Sequence, residues 1–431
     1  MDRYSGEFCM ADSLSTKYHR RAVWGAEVAS ALFAAISMNR FGGAYFTYAM
    51  AVFLLFFMYD LYISWPVQRD FIPQIGSAKW AVIGVALFYG SMLIAGACHD
   101  SHSLHKAFEE YSTYIIFFIV LLWRARWNID DGMKYGIACG AAITCVWVFA
   151  QYHADPEAMV TAGFVHQNPL ATALNLTWPF IFYYFTQEKR PVWKGLFAVL
   201  LVSLISCLFL TTSRGAFMAL GLGCIFTSAI MIVVCHGRLK DKSVQRNAAA
   251  MLVVSLICLI SFNYFVEEKH TGWDPDTMGG ERIMMLEASY RMWQDHKMVG
   301  IGPGNWEEYY YSEKYHPKEG REKGHVMPHN MPMLYLSEGG IVEAAGYSLF
   351  VLFFFVSVYK AARATSNKTL AAMVMLSYLT FFFHGFVDST IFNKPAARIF
   401  YMLMAYGMMS CYAVTNKNNS LDLLNQSSVK E

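Results

Sequence analysis

Stretches of about 20 apolar residues, the length a helix needs to cross a bilayer core of about 30 Å, recur along this chain with hardly a charge inside them. In hydrocarbon every backbone N–H and C=O must be paired within the protein, so such runs fold as helices; the two-residue alternation of barrel strands is absent. The runs fall near 22–38, 42–63, 80–98, 111–123, 133–152, 169–186, 191–210, 216–236, 248–266, 341–359, 369–387 and 396–414. The expectation is an all-α polytopic membrane protein with about twelve transmembrane helices. Composition agrees, with hydrophobic residues at 56% and charged residues at 15% of the 431 residues. Disorder, collagen and a disulfide-stapled secreted scaffold are excluded.

A net charge of +2, with its basic residues in short clusters between apolar runs, excludes a nucleic-acid-binding face. The cysteines fall mostly inside apolar runs, among them Cys139, Cys145, Cys207, Cys224, Cys235, Cys258 and Cys411, where a thiol acts as a small hydrophobe. Lys17, Arg20 and Arg21 precede the first run without a small-residue cleavage site, so an uncleaved first span is expected.

Charge in the connections sets the orientation. One alternate set holds Arg69 and Lys79; Arg124, Arg126 and Lys134; Lys189, Arg190 and Lys194; Arg238, Lys240, Lys242 and Arg246; Lys360, Arg363 and Lys368. The other holds only Arg40, Lys106, Arg214 and Lys394 in its short members. By the positive-inside rule both termini are cytoplasmic. Residues 1–266 then make spans 1–9, 267–330 a long external loop, 331–414 spans 10–12, and 415–431 a cytoplasmic tail expected to be disordered.

A connection as long as 267–330 is usually functional. It is expected to be an organised, partly helical cap, with Ile283, Leu286, Tyr290 and Trp293 at helical spacing and a turn at Gly300-Ile301-Gly302-Pro303-Gly304-Asn305-Trp306. The unusual polar residues gather at that same outer level. His329-Asn330 closes the loop; a neutral imidazole there suits a general base, or is a loop histidine satisfied by backbone and water. Arg214, in Thr212-Ser213-Arg214-Gly215, lies on the side depleted of positive charge. It fits either a bidentate phosphate grip with Ser213 capping the next helix, or an arginine snorkelling to head groups. Arg282 and Arg291 belong to the loop helix, as surface charge or as further anion ligands. His166-Gln167-Asn168-Pro169 reads as an outward-facing helix start with Asn168 at N-cap, where free N–H groups favour anions. His384 and Asp388 lie four apart near the outer end of the eleventh run; Asp388 either orients a histidine or arginine or marks a helix end.

His270, His296, His316, His325 and His329 crowd the loop, but Pro328 interrupts any helix carrying the last two and no carboxylate pair completes a familiar ligand set. Neither a metal nor another cofactor is expected.

Taken in order, the Phe164-to-Ala171 helix start, Ser213-Arg214-Gly215, the Gly300-to-Trp306 turn and the string from His329 to Gly340 resemble the O-antigen ligase and polymerase superfamily over about residues 160–410. The resemblance implies a glycosyltransferase of the Gram-negative inner membrane, active at its periplasmic face. It would take O-antigen from undecaprenyl pyrophosphate, in the ligase branch delivering it to lipid A-core. His329 matches the family's essential loop histidine and Arg214 its essential arginine, while a further loop arginine aligns with Arg282 or Arg291. The implied mechanism is a metal-independent inverting displacement, with His329 as base, arginines on the pyrophosphate, and Asn330, Asn168, His166 and Asp388 in support. Trp306, Tyr309, Tyr310 and Tyr311 are expected to stack against sugars. Arg291 with Gly302 also fits an arginine-ten-glycine spacing of polymerases, so polymerase stays open. A transporter would place ionisable residues at mid-membrane and repeat its halves. Here only Glu27 and Glu343 lie mid-span and no repeat is visible.

Overall fold

A computed structural model of the chain describes residues 24–38, 51, 54, 55, 58, 78–235, 241–268, 278–317 and 324–428. Apart from those four isolated positions, the second expected span lies outside the described residues, as do Lys17, Arg20, Arg21, Arg40, Arg69, Arg238, Lys240 and His270. The described regular structure is helical, without a strand. Among the described residues six helices are long and apolar enough to cross a membrane: α2 (Lys79–Ala97), α5 (Asp130–Ala154), α7 (Pro191–Leu210), α8 (Arg214–Val234), α9 (Lys242–Glu268, through its Val244–Tyr264 stretch) and α12 (Met331–Ala364). The first expected span is a shorter apolar helix, α1 (Trp24–Ser37).

The remaining expected spans are helices too, but less apolar ones: α4 (Tyr111–Arg126), α6 (Gln167–Gln187), α13 (Lys368–Gly385) and α14 (Lys394–Ser428). A physical reason lies in their position. α13 packs against α6, α8, α9, α12 and α14 and is buried along nearly its whole length. A helix enclosed by helices can carry polar groups, provided they bond across the interface. Asn175 Nδ2 on α6 donates to the Ala216 carbonyl at 3.0 Å, Ser377 Oγ to the Leu176 carbonyl at 3.2 Å, and Tyr378 OH to the Val351 carbonyl at 2.6 Å. The tail expected to be disordered is instead a continuation of α14 as far as Ser428; no glycine or proline interrupts the sequence there.

The basic connections lie at one end of these helices. Lys134 and Arg190 both reach Glu188 just past the C-terminus of α6, Arg124 meets Asp130 at 3.0 Å, and Lys368 donates to the Ala362 carbonyl at 3.1 Å. At the opposite end of α6, α12 and α13 stand His166, His329 and Asp388.

The loop is built from α10 (Met278–Asp295) and α11 (Trp306–Tyr310), beside the short α3 (Ser101–Glu109). α10 occupies the expected helix, but its inward stripe differs from the expected one. Glu281, Met285, Ala288, Ser289 and Met292 are buried, whereas Ile283 and Tyr290 are exposed. The bulkier residues gave the stripe a false bearing; the close contact with α12 takes the smaller and more flexible side chains.

What fastens the loop is a break in α12. Gly340 has φ 60° and ψ −154°, which interrupts the helical hydrogen-bond ladder. The freed groups are taken up by the loop: Ile301 N donates to the Ser337 carbonyl (3.0 Å) and Gly302 N to that of Glu338 (2.8 Å), while Ile341 N donates to the Lys297 carbonyl (2.9 Å). Broken backbone within a membrane helix is tolerated where protein re-satisfies it in this way. A Cβ on Gly340 would stand 2.4 Å from the Met298 carbonyl carbon, and one on Gly300 2.3 Å from the Glu338 backbone, so both positions need glycine.

Candidate active site

A cavity of about 940 Å³ opens where the N-termini of α6, α8 and α12 meet the end of α13, beneath α10. His166, Asn168, Arg214, Arg282, His329 and Asp388 all line it. The long loop and three separate turns thus bring six of the eight sequence-predicted residues to one cavity.

His329 is held from both sides in sequence. It has φ 50°, an uncommon left-handed conformation of the kind that persists where the surroundings over-determine it. Asn330, next in sequence, caps α12: its Oδ1 accepts from Met333 N at 2.9 Å and its Nδ2 donates to the Phe386 carbonyl at 2.8 Å. Asn330 is therefore a fastener between the start of α12 and the turn after α13, not part of the cavity lining. That turn carries Asp388, whose Oδ1 lies 3.0 Å from His329 Nδ1 and also accepts from Ser389 N at 2.7 Å. Burial pushes the Asp388 carboxyl upward, but the hydrogen bond and charge of His329, the nearby His384 and the Ser389 N–H outweigh it and hold it well below the usual carboxylate range. An ionised carboxylate only accepts, so Nδ1 carries the proton and a neutral His329 has its lone pair at Nε2.

Arg214 opens α8 after Thr212, another non-glycine residue with positive φ, at 48°. Ser213 is the N-cap residue, yet its hydroxyl makes no cap bond to α8; it donates to Asn168 Oδ1 at 2.8 Å. Asn168 in turn is not the cap of α6. That place is taken by His166, whose Nδ1 accepts from Asn168 N at 3.3 Å. The two expected caps join two helix starts to each other, so α6 and α8 present their N-termini side by side at the cavity. A neutral His166 carries its proton at Nε2, and burial, with the positive charges of His329 and Arg282, pushes its imidazole below the ordinary value against the pull of Asp388. Arg214 and Arg282 are near enough to feel each other's charge.

Arg291 stands apart from this group: it does not line the cavity, and its Nη2 donates to the Tyr315 carbonyl at 3.3 Å within the loop. The aromatic residues expected to meet sugars are placed otherwise as well. Trp306 and Tyr310 are 1% and 0% exposed, stacked on each other at 4.6 Å, with Trp306 Nε1 donating to Ser289 Oγ. They form the core of the loop. Tyr114 and Tyr335 line the cavity in their place.

Two further residues line the cavity, His384, which the sequence paired with Asp388 without giving it a role, and Glu338. His384, buried in α13, places Nδ1 2.9 Å from Thr172 Oγ1, whose own proton goes to the Asn168 carbonyl at 3.0 Å. Glu338 sits just before the break in α12, where an acidic residue ahead of Gly339-Gly340 inside an apolar run was the available clue. Among the described residues no group of three histidine, cysteine, aspartate or glutamate side chains is placed to hold a metal ion.

Comparison with curated proteins finds no match. Residues 197–348 match the family model described as O-antigen ligase. The matched stretch runs from α7 through the loop to beyond the break in α12 and carries Arg214, Arg282 and His329; His166, Asn168 and Asp388 complete the cavity from outside it. The chain, a multi-pass membrane protein, thus carries over residues 197–348 a domain similar to the O-antigen ligase family.

Proposed function

We propose that the protein is an O-antigen ligase, moving O-antigen polysaccharide from undecaprenyl pyrophosphate to a sugar hydroxyl of lipid A-core. The observation that carries this reading is His329, hydrogen-bonded to the buried Asp388, in one cavity with Arg214 and Arg282. The donor pyrophosphate lies between the two arginines, at the paired starts of α6 and α8, where cations and helix N-termini favour an anion. Nε2 of His329 takes the proton from the acceptor hydroxyl as its oxygen bonds to the anomeric carbon. The anomeric C–O bond to the pyrophosphate breaks on the opposite face, so configuration inverts. Undecaprenyl pyrophosphate departs as an anion that needs neutralising more than protonating, and Asp388 stabilises the imidazolium left behind. No step calls for a metal. Arg291 belongs to the frame of the loop.

The topology fits the periplasmic face of a Gram-negative inner membrane, with both termini cytoplasmic and about twelve spans. In support, the cavity lies at the end of α6, α12 and α13 remote from Lys134, Arg190, Arg363 and Lys368, and basic connections stay inside. The test is transfer in vitro with purified protein, undecaprenyl-pyrophosphate-linked glycan and lipid A-core, comparing wild type with His329→Ala. Glycan-bearing lipid A formed by wild type alone is the expected result. Longer undecaprenyl-linked glycan would make the protein a polymerase instead, and no product from either substrate would return it to the transporters.

A further inference from the structure

The cavity is lined by charges of both signs. Beside His166, Arg214 and Arg282 its lining holds the carboxylates Glu109, Glu110, Glu307 and Glu338, from α3, the residue after it, α11 and α12. Glu110 is paired with Lys394 at 3.1 Å, Glu109 lies 3.9 Å from Lys106, and Glu338 is close enough to Glu110 to feel its charge. Glu338 differs from the rest in how it is built in. It is 7% exposed, and one oxygen, Oε1, accepts from Gly304 N at 3.0 Å and from Trp306 N at 3.2 Å. The other, Oε2, has no hydrogen-bond partner among the described residues, on a side chain that lines the cavity. On a buried side chain that lines a cavity, an oxygen left open is available to a donor from a ligand.

We infer that Glu338 Oε2 is the hydrogen-bond acceptor for a hydroxyl of the acceptor sugar, in a subsite of the cavity where α12 meets the Gly304–Trp306 turn. This rests on the glycosyl-transfer reading. A pyrophosphate gains nothing from a carboxyl oxygen and is drawn to the arginines, whereas a sugar hydroxyl can donate to that oxygen. Glu338 and His329 line the same cavity, so a sugar held by one of its hydroxyls at Glu338 is within the space where His329 meets the attacking hydroxyl. The two backbone N–H groups on Oε1 fix the carboxyl plane, so Glu338 arrives ordered.

Glu338→Gln tests this without removing the anchor, because the amide oxygen still accepts from Gly304 and Trp306 while an NH2 replaces the open oxygen. With purified protein, the KM for lipid A-core should rise about tenfold, the worth of one hydrogen bond whose acceptor is replaced by a donor. The KM for the undecaprenyl-linked donor should stay within about twofold. An unchanged acceptor KM, or an equal rise in both, would overturn the assignment. Wild-type protein supplies an arm independent of the variant's folding: among acceptor analogues each lacking one hydroxyl outside the reacting position, one should lose about tenfold in KM. If all bind like the parent, the inference is wrong. Absence of any transfer by wild type would instead sink the ligase reading on which it stands.

Discussion

Replacing Asp388 by asparagine isolates one element of the proposed mechanism, the stabilisation of a protonated His329. The side chain keeps its size, and Ser389 N, donating to Oδ1 at 2.7 Å, fixes which end of the amide stays an oxygen. That oxygen still accepts from His329 Nδ1, so the tautomer with a free Nε2 is kept and only the charge is lost. Two unit charges about 4 Å apart attract by about 4 kcal/mol at an effective dielectric constant of about 20. The His329 side chain is 31% exposed, and solvent screening takes away about half of this attraction. About 2 kcal/mol lost from the transition state lowers kcat about 30-fold. Removing the base itself by His329→Ala should cost about 10²- to 10⁴-fold. The assay is single-turnover transfer to lipid A-core at saturating donor, with thermal unfolding in detergent as the check on folding. Wild-type rates in Asp388→Asn would show that no imidazolium forms in the rate-limiting step. A loss as deep as that of His329→Ala would show that the carboxylate does more than hold and stabilise the ring.

Arg214→Ala should lower transfer about 10²-fold or more, and Arg214→Lys about tenfold less severely, since lysine keeps the charge but cannot fork onto two oxygens; equal full activity in both would take Arg214 out of the site. Arg282→Ala should raise the donor KM about tenfold, while Arg291→Ala leaves it within about twofold and lowers thermal stability by about 1 kcal/mol through the lost bond to Tyr315; the reverse order would exchange their roles. Gly340→Ala should destabilise the protein by about 2 kcal/mol or more, read as a lower Tm and faster proteolysis in the loop, because its Cβ meets the Met298 backbone; an unchanged Tm would refute the docking. The fold favours the ionised form of Asp388, so the stability it contributes is complete above about pH 4 and is lost as pH falls below that; the Tm gap between wild type and Asp388→Asn should close there, and a gap that persists would contradict the direction of the shift.

Apolar runs at bilayer length made the helical membrane fold legible, because hydrocarbon leaves the backbone one economical way to pair its polar groups. Cavity residues were legible for a related reason: Arg214 is a charged group between two apolar runs, and His329 stands where the polar loop re-enters one. Partnership was harder to read. Nothing local distinguishes Arg282, which faces the cavity, from Arg291, which bonds Tyr315; the two lie on one helix and are separated by its rotation relative to α12. The inward stripe of α10 was misjudged because bulk suggested Ile283 and Tyr290, where the contact takes Met285, Ala288 and Met292. Asn168 and Ser213 each carried a correct cap signature, and each is spent on the other. Such a bond joins residues 45 apart in sequence, and no pattern within either turn announces it.

The break at Gly340 connects these elements. An unbroken α12 would spend the Ser337 and Glu338 carbonyls on its own ladder, leaving the Gly300–Gly302 turn nothing to bind. Because they are released, the turn docks on α12 and its continuation delivers the Gly304 and Trp306 N–H groups to Glu338 Oε1. The anchoring of the loop and the orientation of Glu338 are therefore one event. α10 packs on the same helix and carries Arg282 into the cavity, while the start of α12 carries His329, tied by Asn330 to the turn that bears Asp388. A substitution at the break should therefore move cation, base and carboxylate together, although Gly340 does not line the cavity.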